Sequence, residues 1–167
     1  MNENEETYIR VCKFLNQEAY LLDTYKFQEW LEILSKDISY IMARRIVNEN
    51  KGNDYDIDSP LMLENYSSLK ARIERLKSVY AWGEVPRSRY AHVIGWINVL
   101  GQNNGGVIAV QSSVLFIRNR EDSYENEMLS YQRQDLFNDI NGKLLLLKRL
   151  IIPDQPVIGL STLSNIY

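Results

Sequence analysis

Apolar residues recur every three or four positions through the first third of the chain. One stripe comprises Tyr8, Val11, Cys12, Leu15, Ala19 and Leu22. This spacing lays apolar side chains along one face of a helix. A candidate cap at Asp23 and Thr24 precedes a second, shorter stripe, which comprises Phe27, Trp30, Leu31 and Leu34. The pattern therefore predicts two packed helices before residue 36.

The pattern changes to alternation over residues 37–47. Ile38, Tyr40 and Met42 alternate there with Ser39, Ile41 and Ala43. This composition suits a strand, so we expect the first strand here. Residues 48–59 are polar and carry aspartates at 54, 56 and 58, a spacing similar to that of a calcium loop. The glycine and distal glutamate of such loops are missing at the required offsets, so residues 54–58 are predicted to form a solvated loop. An amphipathic third helix is predicted over 66–80.

Four strand-length runs follow Pro86, over residues 90–100, 107–118, 125–137 and 143–152. Turn-forming residues separate them at 101–106, 119–123 and 138–142. Such short connections favour antiparallel pairing. In residues 107–117 the side chains on both faces of the predicted strand are apolar, except Gln111, Ser112 and Ser113. This pattern predicts a sheet covered by the chain's own helices on one face and by a partner on the other.

The order of these elements predicts an α+β fold with three helices packed on a curved, mainly antiparallel sheet. This is the cone-shaped architecture of nuclear-transport-factor-like and ketosteroid-isomerase-like proteins, and architecture by itself does not define function. The length of 167 residues fits a single domain over 1–167, in which we expect 1–7 to be a flexible N-terminus.

Composition and charge argue against several classes of function. A net charge of −3 gives no electrostatic reason to expect nucleic acid. The longest apolar candidate is broken by Lys148 and Arg149, so no membrane span is expected. The acidic start differs from a signal peptide, and the single cysteine excludes an internal disulfide. We therefore expect a cytoplasmic protein.

The chain contains one histidine, His92, and one cysteine, Cys12. Redox and hydrolytic metal centres need several such ligands at one place, so this chain is expected to bind no metal or cofactor of its own. Cys12 lies on the first apolar stripe, where a thiol without a cationic neighbour is protonated and inert. We interpret it as a small core residue.

Three stretches carry a family resemblance. The opening has Glu18-Ala19, Leu22-Asp23, Phe27 to Leu31 and Asp37 to Tyr40; the centre has Arg72 to Leu76, Ala81 to Arg89 and His92; the tail has Lys148-Arg149, Asp154-Gln155, Val157 and Leu163-Ser164 before Tyr167. In this order they resemble the small (beta) subunit of aromatic-ring-hydroxylating dioxygenases. The chain departs from that family's pattern at Gly95-Trp96, at the turn 103–106 and at Pro153.

The resemblance implies a non-catalytic role. In that family the large (alpha) subunit carries a Rieske 2Fe-2S cluster and a mononuclear iron. Three small subunits associate as a trimer and assemble with three large subunits into a hetero-hexamer. A ferredoxin and a reductase supply electrons, so their relation to this chain would be indirect. The expected function is thus to stabilise an assembly that adds dioxygen to an aromatic ring.

Six residues are candidates for a structural or subunit-interface role: Trp82, Arg87, Arg89, His92, Asp154 and Gln155. The two arginines follow a proline-fixed turn and could pair with carboxylates inside the fold or across a subunit boundary. Trp82 is expected in the core or at an interface. His92 is expected to be hydrogen-bonded, on one strand face with Tyr90, Ile94 and Trp96. Asp154 and Gln155 could pair with Arg89 or Arg149 and hold the tail.

The alternative is a stand-alone isomerase or dehydratase of the same fold. Such an enzyme needs a carboxylate or histidine with a perturbed pKa, together with a hydrogen-bond donor, in an apolar cavity. The candidates for these roles are Asp37, Tyr40, His92 and Tyr20. A binding protein for a small apolar ligand would need only the cavity.

Overall fold

The computed structural model describes residues 2–46, 54–77, 88–103, 105–120, 124–160, 163 and 165–167. Within these residues the helices are α1 (Glu3–Asp23), α2 (Phe27–Leu31) and α3 (Tyr66–Lys77). The strands are β1 (Leu34–Met42), β2 (Arg44–Arg45), β3 (Tyr55–Asp56), β4 (Met62–Glu64), β5 (Arg89–Gln102), β6 (Val107–Asn119), β7 (Asn126–Ile140) and β8 (Lys143–Pro153). The predicted order of helices followed by long strands is confirmed.

Six strands form the main sheet in the order β4-β1-β8-β7-β6-β5. Strands β5 to β8 form an antiparallel meander, as their short connections predicted, whereas β1 pairs with β8 in parallel. The β7–β8 connection is a two-residue turn in which Asn141 has a φ of 52° and Gly142 a φ of 85°. Asparagine and glycine tolerate these positive values, which match the twist of a hairpin.

Helix α1 begins earlier than the sequence suggested. The side chain of Asn2 accepts a hydrogen bond from the Glu5 backbone N–H, and the Glu5 carboxylate accepts one from the Asn2 N–H. This reciprocal capping box satisfies two of the N–H groups that a helix start otherwise leaves unpaired. Residues 3–7, expected to be a flexible N-terminus, are therefore helical.

Helix α1 ends in a Schellman motif, in which Lys26 N–H donates to the Leu21 carbonyl and Tyr25 N–H to that of Leu22. Tyr25 occupies the left-handed position with a φ of 61°, where glycine is usual. Its ring packs against Phe27 and Tyr90, with centroid distances of 5.6 and 5.2 Å. These contacts offset the energetic cost of the left-handed backbone conformation and determine where the helix ends.

Three predicted boundaries in the next segment are wrong. The second apolar stripe reached Leu34, but α2 ends at Leu31 because Leu34 already pairs with Leu146 of β8. The strand predicted over 37–47 stops at Met42. A separate antiparallel pair of strands, β2 with β3, follows, so part of the predicted loop at 54–58 is a strand. Arg45 lies 2.7 Å from the Asp54 carboxylate.

Strand β5 carries a bulge at Gly95-Trp96. Ile94 pairs with Val114 and Ile97 pairs with Ser112, so two residues of β5 lie opposite Ser113. The extra residue reverses which face of the sheet the following side chains point to. Trp96 therefore lies on the opposite face from His92 and is 50% exposed. The predicted common face is thus correct for Tyr90 and Ile94 and wrong for Trp96.

The main core lies between the helices and the concave face of the sheet. Val11, Leu15 and Leu22 of α1 are buried there, whereas Cys12 of the same stripe is half-buried. On β1 the predicted set Ile38, Tyr40 and Met42 is buried. The helices therefore cover one face of the sheet, as the alternation of β1 indicated.

Candidate functional site

A cluster of four charged side chains lies deep inside the cone. Glu18 comes from α1, Arg133 and Asp135 from β7, and Arg149 from β8, and each is at most 2% exposed. Two carboxylates face two guanidinium groups, so the formal charges cancel. Buried charges persist in folded proteins when they are paired and hydrogen-bonded in this way.

Arg149 holds the cluster together by binding both carboxylates at once. Its Nη1 and Nη2 atoms donate to the two oxygens of Glu18, each at 2.7 Å. Its Nε and Nη2 atoms donate to the two oxygens of Asp135, each at 2.9 Å. The planar, forked guanidinium suits such paired contacts, which an ammonium group could not reproduce.

Arg133 completes the cluster on its second side. Its Nη1 atom lies 3.2 Å from Glu18 Oε2, and its Nε atom donates to the Ser112 hydroxyl at 3.3 Å. The same Nε atom is 4.0 Å from Asp135 Oδ2. Glu18 is therefore shared by two arginines from neighbouring strands.

The cluster shifts the ionisation of its members. Burial by itself would raise the pKa of Glu18, but the charges of Arg149 and Arg133 outweigh it and lower this pKa to about 2. Burial would lower the pKa of Arg149, whereas Asp135 and Glu18 hold it well above its ordinary value. Both groups are consequently charged at neutral pH, and neither is set up to exchange a proton with a substrate.

Aromatic side chains surround this cluster. Trp30 Nε1–H donates to Glu18 Oε1 at 3.1 Å, and Tyr40 lies with its ring 5.7 Å from the Arg149 guanidinium. Burial raises the pKa of the Tyr40 and Tyr131 phenols above the usual range. Both hydroxyls are therefore neutral, and that of Tyr40 acts as an uncharged hydrogen-bonding group.

The end of the described chain enters the same interior. The Tyr40 hydroxyl donates to the Tyr167 carbonyl and accepts from the Tyr167 N–H, the latter at 3.0 Å. Arg149 Nη1 also approaches the Tyr167 carbonyl, at 3.4 Å. The Tyr167 side chain is fully buried. Residues 165–167 thus fill interior space beside the charged cluster.

His92 links this tail to the end of α1. Its Nδ1 atom lies 2.6 Å from Asp23 Oδ1, its backbone N–H donates to Asp23 Oδ2 at 3.0 Å, and its Nε2 atom lies 3.2 Å from the Ile166 carbonyl. The imidazole side chain is 3% exposed. A carboxylate at a helix C-terminus is unfavourable, and the two contacts from His92 compensate it. The geometry agrees with the predicted hydrogen-bonded histidine.

The other sequence-predicted residues are not brought together. Trp82 and Arg87 lie outside the described residues. Arg89 donates to Asn119 Oδ1, and Asp154 and Gln155 are exposed. Arg149, predicted as a partner of the tail carboxylate Asp154, binds Glu18 and Asp135 instead, because it lies in the interior while Asp154 lies outside it.

The residues proposed for an enzymatic alternative are also dispersed. Asp37 is exposed on β1, and Tyr20 is 54% exposed on α1. Tyr40 and His92 do point inward, but both are engaged by the tail through Tyr167 and Ile166. The set does not form an acid–base pair facing a common cavity.

Sequence reasoning missed the charged cluster, although a signal for it existed. Glu18 lies three residues after Leu15 and four before Leu22, so it belongs to the core stripe of α1. Arg133 and Asp135 likewise share the alternating set of β7 positions that holds the buried residues Tyr131 and Phe137. Charged residues at core positions indicate a buried network, because an isolated buried charge would be too costly.

Within the described residues, no group of three or more histidine, cysteine, aspartate and glutamate side chains is placed to hold a metal ion. The donor count agrees, since a Rieske cluster needs two cysteines and two histidines and the chain has one of each. A mononuclear iron site of the oxygenase type needs two histidines and a carboxylate, so the chain's residues fit neither iron centre.

None of the described helices is long and apolar enough to cross a membrane.

The convex face of the sheet carries an apolar patch at the β5-β6-β7 end, which we call the outer patch. It comprises Val93, Leu115, Ile117 and Met128, in which Val93 pairs with Leu115 and Ile117 with Met128. Val93 is 50%, Leu115 36% and Met128 52% exposed. Neighbouring exposed apolar side chains of this kind are typical of a contact surface.

The fold and its interior define a class: an α+β cone of the nuclear-transport-factor-like kind, in which charged residues and the chain's own tail occupy the inside. Comparison with known proteins gives the family. Residues 17–159 match the family described as ring hydroxylating beta subunit, and this chain belongs to it. Membership implies an alpha-subunit partner.

Two relatives are similar over most of their length. The chain is 31% identical over 140 residues to the N,N-dimethyl phenylurea N-demethylase subunit beta of Sphingobium sp. (strain YBL2), covering 84% of this chain and 80% of the relative. It is 32% identical over 170 residues to the 3-phenylpropionate/cinnamic acid dioxygenase subunit beta of Photorhabdus laumondii subsp. laumondii, covering 97% and 92%.

A solved structure agrees with the fold. Naphthalene 1,2-dioxygenase with indole bound in the active site matches with a TM-score of 0.81 and 22% identity, over 92% of this chain and 82% of the other. This likeness supports the architecture, and the family assignment supplies the biochemical class.

Proposed function

We propose that this chain is the non-catalytic structural small subunit of a multicomponent aromatic-ring-hydroxylating dioxygenase. Its role is to stabilise the assembly of iron-bearing large subunits that add dioxygen to an aromatic ring. The Rieske cluster and the mononuclear iron belong to the large subunit. The chain contributes geometry to the complex rather than a reacting group.

One observation carries this proposal: charged and phenolic side chains in the interior of the cone are bonded to other groups of the chain. Glu18 and Arg149 are paired there, Tyr40 is bonded to Tyr167, and all four side chains are at most 1% exposed. An acid–base enzyme needs a titratable group in contact with substrate. Glu18, Arg149 and Tyr40 are instead committed to other groups of this chain.

The outer patch is the surface we assign to assembly. It is apolar, and it lies on the face that the three described helices leave uncovered. The sequence of β6 predicted that a partner covers this second face. We propose a trimer of this chain bound to three large subunits, served indirectly by a ferredoxin and a reductase. We place the complex in the cytoplasm, where the free thiol of Cys12 would stay reduced.

Co-purification from the native host tests the proposal. A tagged chain should recover an iron-bearing large subunit at equal stoichiometry, whereas the chain purified alone should be colourless, contain no stoichiometric iron and turn over no aromatic substrate. Aromatic turnover by the isolated chain would contradict a structural role.

A matched pair of variants tests the surface. Leu115→Lys places a charge in the outer patch, and Val157→Lys places one at a site that is 79% exposed in the tail. We expect both chains to fold with similar melting temperatures and only Leu115→Lys to lose the large subunit on co-purification. Equal recovery of the large subunit by both variants would contradict the assigned surface.

A further inference from the structure

The ring of Tyr167 lies in an aromatic slot. The ring of Phe116 approaches it edge-on at a centroid distance of 5.1 Å and an interplanar angle of 73°, and Tyr131 does so at 6.5 Å and 87°. Such edge-to-face arrangements are the favoured geometry for aromatic pairs. All three side chains are fully buried, so the slot encloses the phenol ring of Tyr167.

The backbone of the tail is held by a separate set of contacts. Tyr40 bonds both the N–H and the carbonyl of Tyr167, and His92 Nε2 lies 3.2 Å from the Ile166 carbonyl. Farther back, Arg72 Nη1 donates to the Leu163 carbonyl at 2.8 Å. None of these contacts uses the Tyr167 ring. When the ring is removed, these backbone contacts are still available to hold residues 166 and 167, and the slot is open.

We propose that the cone contains a binding slot for a neutral para-alkylphenol, which the side chain of Tyr167 fills in cis. Phe116 and Tyr131 form its walls, and the anchored tail backbone forms its end. The slot is thus a small-aromatic site built into the fold and closed by the chain itself. The slot is a property of the isolated chain, whether or not the chain assembles with a large subunit.

The chemistry of the slot favours an uncharged phenol. Burial raises the pKa of the Tyr167 hydroxyl, so the ring that occupies the slot is neutral. The charged cluster next to it is already balanced, because Arg149 pairs with Glu18 and Asp135, and Arg133 pairs with Glu18. A phenolate would bring an unpaired charge into this interior, which is unfavourable.

The test uses the full chain with Tyr167→Gly, and 4-methylphenol as the probe because it reproduces the deleted side chain. The variant should melt at a lower temperature than the parent. Millimolar 4-methylphenol should raise its melting temperature by several degrees in a saturable manner, because a ligand that binds only the folded state stabilises it. The larger 2,4,6-trimethylphenol has the same functional group and should not fit.

Tyr124→Gly is the matched control, since Tyr124 is fully exposed. Neither this variant nor the parent should respond to 4-methylphenol. If Tyr167→Gly is insoluble, refolding it with and without the probe gives the same answer, and recovery of folded protein only with the probe supports the slot. A folded variant without a saturable response, or a chain that refolds in neither condition, would overturn the proposal.

Discussion

Glu18 and Arg149 are joined by two hydrogen bonds of 2.7 Å across 131 residues of sequence. The pair connects the first helix to the last strand, and Asp135 and Arg133 extend it across β7. Closing such a long loop costs conformational entropy, which the contacts of the folded interior must offset. The pair therefore connects the first helix to the last strand in the interior of the fold.

We expect Glu18→Gln to destabilise the chain by about 3–5 kcal/mol, because it leaves the buried guanidinium groups without one of their two balancing carboxylates. Urea denaturation of the isolated chain measures this loss. Glu29→Gln is the control, since Glu29 is exposed and its ion pair with Lys26 at 3.6 Å lies at the surface. The control should change stability by no more than about 0.5 kcal/mol. A Glu18→Gln variant as stable as the control would contradict the role of the pair.

The pH dependence of stability should carry the signature of Glu18. Its pKa falls from 4.5 to about 2 in the folded chain. A carboxyl whose folded pKa is depressed stabilises the protein above its unfolded pKa and loses that contribution as the pH falls through the folded value. The free energy of unfolding should therefore decrease between about pH 4.5 and pH 2. In Glu18→Gln this acid-dependent decrease should be smaller, and an unchanged pH profile would show that other carboxyls account for it.

Arg149→Lys retains the charge but should cost about 2–4 kcal/mol, because one ammonium cannot donate to both oxygens of Glu18 and both of Asp135. Chemical denaturation at neutral pH measures the difference. Lys143→Arg is a control for exchanging the two cation types, since Lys143 is exposed at the start of β8. Comparable stability of Arg149→Lys and the parent would mean that charge alone, without the forked geometry, maintains the cluster.

Gly95 should be required by the bulge of β5. A Cβ atom at this position would lie 2.4 Å from the Ser113 hydroxyl oxygen but 3.7 Å from the Ser113 Cβ atom. Gly95→Ala should therefore cost about 1–3 kcal/mol, the range found for overpacked sites.

A double-mutant cycle separates this clash from a general effect of alanine. In a Ser113→Ala background the same substitution at Gly95 should cost clearly less, because the clashing oxygen is gone. Ser113→Ala itself removes the acceptor of the Trp96 N–H, 3.2 Å away, and the cycle subtracts that loss. Equal costs in both backgrounds would show that Ser113 does not limit the space at Gly95.

Periodicity alone predicted the elements that repeat a simple pattern. The stripe of α1, the alternation of β1 and the four long runs after residue 88 all appear in the structure. It failed where pairing with distant strands determines the structure. Leu34 belongs to β1 because it pairs with β8, and Trp96 changes face because of the bulge opposite β6. Local propensity contains no information about such partners.

For the site, one histidine and one cysteine are too few for a Rieske cluster or a two-histidine mononuclear iron site on this chain alone, and ligand number can be read from composition. The sequence also placed Glu18 and Arg149 in stretches that resemble the family. That these two charges meet, that Asp135 shares the arginine, and that Tyr167 fills the interior were decided by the tertiary structure. The physical reason is that the low-polarity interior tolerates charges only as partners at hydrogen-bonding distance, and residues 131 positions apart reach that distance only when the sheet has formed.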